Sequence, residues 1–301
     1  MAEQPGAGSA GRRASSPLAV DEMYPAHEQG IGVRMVALPD GLRLRVLEAG
    51  APQGRSLVLL HGWGASVYSW RAAIPEFAAA GFRVIAADLP GHGLSDKPAD
   101  PDRYTRPAMI DAVGALLDTL DVQRALVAGV SMGGAIAAGL AVNRHPRVAR
   151  VALVNPAGFG PVRFVATAQL LVPLALRDYT SFVVARPLVS GFLHLAYADR
   201  SRVTARDVDE YWATSSRPGF AAALVACLHR FTWDAYAPDA LRGVTCPVLL
   251  ILGTRDHLIG GSEAIARDIP RLRVVHIDGG HALNEECPAE VDAALAAFAR
   301  E

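Results

Sequence analysis

The chain has 301 residues, 51 % of them apolar and 20 % charged, enough for one large domain with an insertion or for two domains. Its formal net charge of −1 excludes the basic footprint that nucleic acid or an anionic membrane surface would require. No apolar run is long enough to span a bilayer, because the greasiest stretch, residues 164–176, is broken by Thr167, Gln169 and Pro173.

Residues 1–30 are rich in Gly, Ala, Ser and Pro and read as a flexible tail. The paired Arg12 and Arg13 are not followed by an apolar segment, so neither a secretory nor a twin-arginine signal is expected. Next, "VRMVALPDGLRLRVLEAG" places two alternating runs around Pro39-Asp40-Gly41, the pattern of a hairpin. Short continuous apolar runs follow: "SLVLL" (56–60), "FRVIAAD" (82–88), "ALVAGV" (125–130), "VALVN" (151–155), "PVLLILG" (247–253) and "RVVHIDG" (273–279). Such runs mark strands buried on both faces. Helical patterns at 70–80, 107–120, 131–143, 262–268 and 288–300 lie between them. The alternation predicts an α/β protein with a mostly parallel central sheet and helices on both faces.

One stretch breaks the alternation. Residues 158–238 contain no strand-like run and are rich in Phe, Leu, Val, Trp and Tyr. They read as a helical cap insertion in a core made of residues 31–157 and 239–301. Ligands of such sheets bind at the carboxyl ends of the strands, where an insertion covers the site.

"GVSMGG" (129–134) directly follows one predicted strand and opens a helix. In that context Ser131 fits a sharp turn presenting a nucleophile, with small residues at 129, 133 and 134. Serine needs a base, and the base an orienting acid. Of nine histidines, His27 lies in the tail, His145, His194 and His229 in helical segments, and His276 in a strand. His281 instead sits on the loop "DGGHALNEECP" after the last strand, and Asp256 in "LGTRDHLIG" after the preceding one. Strand ends in a parallel sheet share one edge, so Ser131, Asp256 and His281 can converge there as nucleophile, acid and base. Asn155, at the strand end before the insertion, is not a competing acid, and Glu285 and Glu286 lie just past His281 on a helix start.

Two N–H donors are needed where oxyanion charge develops, and the backbones of Met132 and of Trp63 in "HGWGAS" suit that role. His61 reads as packing under that loop, and His92 and Asp96 of "DLPGHGLSD" as loop-fixing residues. No Walker lysine or dinucleotide fingerprint follows a strand, and no histidine-carboxylate cluster has ligand spacing, so neither a cofactor nor a metal is expected. Cys227, Cys246 and Cys287 are scattered and odd in number, as in reduced thiols of a cytoplasmic protein.

In order and spacing, "HGWGAS", "DLPGHGLSD", "GVSMGGA", "LGTRD" and "GGH" resemble the motifs of the α/β-hydrolase superfamily. The resemblance covers residues from about 31 to 301, with the insertion matching only in position and helical character. It implies the roles just given for Ser131, Asp256, His281, Trp63 and Met132. Haloalkane dehalogenases and epoxide hydrolases look similar but carry aspartate at the elbow, where this chain has Ser131. Carbon–carbon bond hydrolases of aromatic degradation use serine; they commonly have Trp after the histidine, where Ala282 stands here, and a proline in the first loop. Carboxylesterases and perhydrolases often have "HGW" and "SMGG", as this chain does. The resemblance therefore implies an esterase acting on a small acyl substrate, with a carbon–carbon hydrolase, a lactonase or perhydrolase, an acyltransferase and a receptor-like ligand binder as alternatives. Trp63, Phe159, Trp212, Phe220 and Phe231 are candidates to line the apolar pocket; the alternative for any one of the insertion's aromatics is packing in the insertion's own core.

Overall fold

The structure, a computed structural model, describes residues 16–175 and 184–301. Eight strands form one sheet: β1 (Ile31–Ala37), β2 (Arg43–Gly50), β3 (Ser56–Leu60), β4 (Arg83–Ala87), β5 (Ala125–Val130), β6 (Val148–Val154), β7 (Val248–Gly253) and β8 (Leu272–Ile277). Their order is β1-β2-β4-β3-β5-β6-β7-β8. β1 pairs antiparallel with β2 and β2 antiparallel with β4, while every pair from β4 onward is parallel. All residues of β3 and β5 are buried, which is why both read as unbroken apolar runs.

Helices α1 (Ala73–Ala79), α2 (Arg106–Thr119), α3 (Met132–Val142), α8 (Pro238–Arg242), α9 (Ser262–Ala266), α10 (Leu283–Glu286) and α11 (Pro288–Arg300) connect and cover the strands. α2 packs on α3, which lies on β5 and β6, and α1 packs on α11, which lies on β7 and β8. The single helix expected over 70–80 is divided into a 3-10 turn, Val67–Trp70, and α1. The Ser66 side chain caps that turn by accepting from Tyr68 N–H, so the chain enters helix earlier than its apolar pattern suggests.

Among the described residues, α4 (Val165–Leu171), α5 (Arg186–Ala196), α6 (Ala205–Ser215) and α7 (Phe220–Arg230) precede α8 in the long connection from β6 to β7 and interrupt the alternation. α5 packs on α6, α6 on α7 and α7 on α4. Thr204 and Asp207 form a reciprocal capping box that fixes the start of α6. An isolated bridge joins Val162 to Ile259, beside the loop that carries Asp256.

Residues 1–15 of the expected tail lie outside the described residues. The later part is docked rather than free. Met23 and Tyr24 are buried, Tyr24 N–H donates to Glu210 Oε1 at 2.8 Å, and Arg217 donates to the Leu18 carbonyl at 2.6 Å. Composition averaged over the whole segment hides the reason: its Leu, Val, Met and Tyr are concentrated after residue 17, where they can bury apolar area. Among the described residues no helix is long and apolar enough to cross a membrane.

Candidate active site

Ser131 stands between β5 and α3 with φ 54° and ψ −117°, a conformation unusual for any residue but glycine. Holding it costs about 1–3 kcal/mol, and the surroundings must enforce it. Two hydrogen bonds do so: Ser131 N–H donates to Val154 O and Ala157 N–H donates to Ser131 O, both at 3.0 Å. The adjacent glycines permit the approach. A Cβ at Gly129 would lie 2.2 Å from Gly133 O, and one at Gly133 would lie 2.4 Å from Leu60 O. Small residues are thus demanded by backbone contact between the elbow, β3 and α3.

Ser131 Oγ–H donates to His281 Nε2 at 3.0 Å, and His281 Nδ1–H donates to Asp256 Oδ2 at 2.8 Å. The other carboxylate oxygen, Asp256 Oδ1, accepts from Leu258 N–H at 2.8 Å and Ile259 N–H at 3.1 Å. The carboxylate is therefore fixed at both ends, with only 5 % of its side chain exposed. Three residues from three strand ends meet at one point.

The groups that hold these loops carry little signal in the sequence. Asn155 Nδ2 donates to the carbonyls of Gly280 and His281, and its Oδ1 accepts from Gly253 N–H. One amide thus ties the base loop to the end of β7. Buried Glu286 accepts from Gly280 N–H at 2.7 Å, Ala198 N–H at 3.1 Å and Asp199 N–H at 2.7 Å. The Ala196 carbonyl at the end of α5 accepts from both His281 and Ala282 N–H. The base loop is consequently joined to the helical insertion through backbone groups. For Asn155 the sequence offers only a polar amide at the end of an apolar strand.

Above the elbow, the His61-Gly62-Trp63 turn passes close to Ser131: a Cβ at Gly62 would fall 3.3 Å from Ser131 Cβ. Met132 is the first residue of α3, where the N–H groups have no acceptor within the helix. His61 is buried; its Nδ1–H donates to Gly62 O at 2.7 Å and its Nε2 accepts from Leu89 N–H at 2.9 Å. Both nitrogens are thus occupied by backbone, and burial lowers its pKa, so the ring is a neutral brace. His92 donates to Pro90 O, and burial together with neighbouring His61 pushes its pKa down to about 3. Asp96 pairs with Arg43. Buried Asp88 accepts from Val67 and Leu94 N–H and links the two loops.

A cavity of about 50 Å³ adjoins Ser131 and His281. Trp63 lines it, together with Phe164, Phe192, Trp233 and Leu258. Trp63 Nε1–H donates to Leu224 O on α7 at 3.3 Å. A second cavity of about 180 Å³ shares Trp63, Phe192 and Tyr211 with the first. Three of the other aromatics expected at the pocket, Phe159, Trp212 and Phe231, fall elsewhere. Phe159 is fully buried against Tyr236, with ring centroids 5.9 Å apart. Phe231 packs on Trp233 at 4.8 Å and does not itself line either of the two cavities. Phe220 lines the second cavity. Trp212 lines neither, while its neighbour Tyr211 lines both. Successive helical residues point about 100° apart, so composition located the aromatic helix but not its inward face.

Among the described residues no group of His, Cys, Asp and Glu could hold a metal ion, and the three cysteines are free.

Comparison with known proteins agrees with this fold. A family model for the alpha/beta hydrolase fold matches residues 55–288. The chain is 34 % identical to 2-hydroxymuconate semialdehyde hydrolase of Pseudomonas sp. (strain CF600), over 78 % of this chain and 81 % of that protein. It is 29 % identical to epoxide hydrolase 3 of Siraitia grosvenorii, over 86 % of this chain and 95 % of that one. Among solved structures it resembles the enol-lactonase from Burkholderia xenovorans LB400, with TM-score 0.74 and 25 % identity over 89 % of this chain and all of that one. The sheet order, the turn at Ser131 and these matches lead to one conclusion: the chain belongs to the α/β-hydrolase fold family.

Proposed function

We propose that the protein is a serine hydrolase that cleaves carboxylic esters of small, largely apolar substrates. The observation that carries this reading is the continuous hydrogen-bond chain from Asp256 through His281 to Ser131 Oγ on its strained turn. His281 removes the proton as Ser131 Oγ attacks the acyl carbon, and Asp256 holds the imidazole and stabilises its cationic form. The backbone N–H groups of Trp63 and Met132 receive the developing oxyanion. Collapse of that intermediate returns the proton from His281 to the leaving alcohol and leaves an acyl group on Ser131. Water, deprotonated by His281, then attacks the acyl-enzyme and releases the acid. In this reading residues 158–238 form a cap over the site. Trp63, Phe164, Phe192 and Trp233 supply its apolar lining, which excludes water and strengthens the electrostatic steps.

The test is covalent. A fluorophosphonate is expected to label the native protein and not Ser131→Ala, and short p-nitrophenyl esters to be hydrolysed only by the former. Absence of labelling in correctly folded native protein would overturn the reading.

A second reading has one specific support: the semialdehyde hydrolase relative favours cleavage of a carbon–carbon bond in a vinylogous diketone by the same serine. Against it stand Ala282 after the base and the absence of proline from "HGWGAS". A panel that sets p-nitrophenyl esters and lactones beside vinylogous diketones separates the two. Higher kcat/KM on the diketones would put carbon–carbon cleavage ahead of ester hydrolysis.

A further inference from the structure

Trp63 and His281 lie far apart in the chain, yet the chemistry needs an oxyanion donor and a base aimed at one carbonyl. The segment carrying Trp63 continues through a turn in which Ala65 N–H donates to Gly62 O at 3.2 Å, then the Ser66 cap and the 3-10 turn Val67–Trp70, and ends on Arg71. The loop carrying His281 continues into α10, where Glu285 N–H donates to Ala282 O at 2.9 Å. The side chains of Asn155 and Glu286 fasten that loop to the end of β7 and to the insertion, and neither bonds to the Trp63 segment.

Arg71 makes that connection. Its Nη1–H donates to Glu285 Oε2 at 2.6 Å, and its Nη2 pairs with Asp207 Oδ1 at 2.8 Å. Asp207 lies in the first turn of α6. Beside this grip, Asn284 Nδ2 donates to Ser69 O at 2.8 Å. The other carboxylate positions are filled from the same elements. The Tyr211 hydroxyl donates to Glu285 Oε1, the Tyr68 hydroxyl to Asp207 Oδ1, and Thr204 N–H and hydroxyl to Asp207 Oδ2. The guanidinium also lies 4.3 Å from the Tyr68 ring centroid, which fixes its plane. Asp207 and Glu285 have only 3 % and 4 % of their side chains exposed, so water does not replace a lost partner. A planar fork with two occupied prongs specifies direction as well as distance. A simple ion pair joins two elements. This one joins three, and each presents part of the site: the Trp63 segment, the His281 loop, and α6, whose Tyr211 lines both cavities.

We propose that Arg71 is a positioning residue. By gripping Glu285 and Asp207 at once, it sets the Trp63 segment against the His281 loop and seats α6 on both, so that donor and base bear on the same acyl group. This rests on the serine-hydrolase reading above and adds to it a residue that touches neither Ser131 nor the substrate. An element displaced by an ångström lowers the rate of a reaction that needs near-attack geometry, while uniform binding of the substrate is little altered.

The test compares native protein, Arg71→Met, Arg71→Lys and Asn284→Ala on a short p-nitrophenyl ester, well below each thermal midpoint. Turnover is expressed per fluorophosphonate-labelled site, which counts only assembled sites. Arg71→Met should lose labelled sites through instability, and the sites that remain should show kcat lowered by about tenfold with KM within about twofold of native. Arg71→Lys keeps the charge, so its site count should return towards native. Its kcat should recover only in part, because one ammonium does not reproduce the two-pronged contact. Asn284→Ala should lower kcat by a few-fold, the effect of one hydrogen bond. Native kcat per labelled site in both Arg71 variants would show that the cluster serves stability alone, and a raised KM at native kcat would show that it serves binding; either overturns the proposal and leaves the hydrolase intact. If Arg71→Met does not fold, Arg71→Lys decides by the same criteria. If the native protein is labelled but turns over no ester, the labelling rate constant takes the place of kcat, since phosphonylation of Ser131 uses the same base and donors. No labelling of the native protein would remove both readings together.

Discussion

The elbow and the helical insertion meet at one cavity but are held by different means. Around Ser131 the constraints are backbone contacts: glycines pressed against carbonyl oxygens, a positive φ, and Asn155 and Glu286 fastening loops by their N–H and C=O groups. In the insertion the constraints are side chains, chiefly aromatic rings such as Trp63 against Phe164 and Phe192, and Phe231 against Trp233. Backbone contacts tolerate almost no change, because a displaced carbonyl has no alternative position. Side-chain packing can be exchanged at a cost set mainly by volume. One half of the site therefore specifies the chemistry, and the other can vary what the chemistry is applied to.

That contrast can be broken by substitution. Ser131→Ala should have the largest effect, lowering ester hydrolysis by at least about 10³-fold and abolishing fluorophosphonate labelling, with the thermal midpoint little changed. A smaller loss with labelling intact would mean that the elbow is not where the chemistry lies. Asn155→Ala should come next. It frees the carbonyls of Gly280 and His281 and the Gly253 N–H, so urea unfolding should report a loss of about 1–3 kcal/mol, accompanied by a fall in kcat of about tenfold or more as the His281 and Asp256 loops lose register. Unaltered kcat at reduced stability would show that the clamp serves folding alone.

Phe192→Ala tests the other half. Phe192 lines both the cavity of about 50 Å³ and that of about 180 Å³, so its removal should raise the ratio of kcat/KM for long over short acyl esters several-fold while fluorophosphonate labelling persists. Loss of labelling would instead make the insertion part of the chemical step.

The smallest effect concerns a half-buried carboxyl on α11, away from the site. Asp292 on α11 has its pKa raised to about 7 by burial and by the Glu76 carboxylate. A carboxyl that binds its proton more tightly folded than unfolded costs stability as pH rises from its ordinary range, near 4, to about 7, and the cost is complete above that. Asp292→Asn should therefore be more stable than the native chain by about 1–2 kcal/mol at pH 8, with the advantage vanishing near pH 4. Parallel stability curves for the two proteins would refute the assignment.

Much of the elbow half is legible in the chain alone. "GVSMGG" after an apolar strand, and Asp256 and His281 each just past another, name residues whose positions a parallel sheet brings to one edge. The pocket half is not. Phe159, Trp212 and Phe231 are candidates by residue type, yet Phe164, Phe192, Tyr211 and Trp233 line the cavity. The difference between Trp212 and Tyr211 is one helical step, and no local signal states which way α6 is rotated. Residues 17–30 depart from the expected free tail for a related reason, since the partner that buries Tyr24 includes Glu210, far along the chain.

Local pattern along the chain carried the alternation of strands and helices, the helical character between β6 and β7 and the three residues on strand-end loops, because periodicity and glycine punctuation are local properties. Which aromatics face the cavity, and that Asn155 and Glu286 hold the base loop, emerged from tertiary packing. Those outcomes depend on how helices rotate and dock against a sheet distant in sequence, and the free energies that fix them arise only when the surfaces meet.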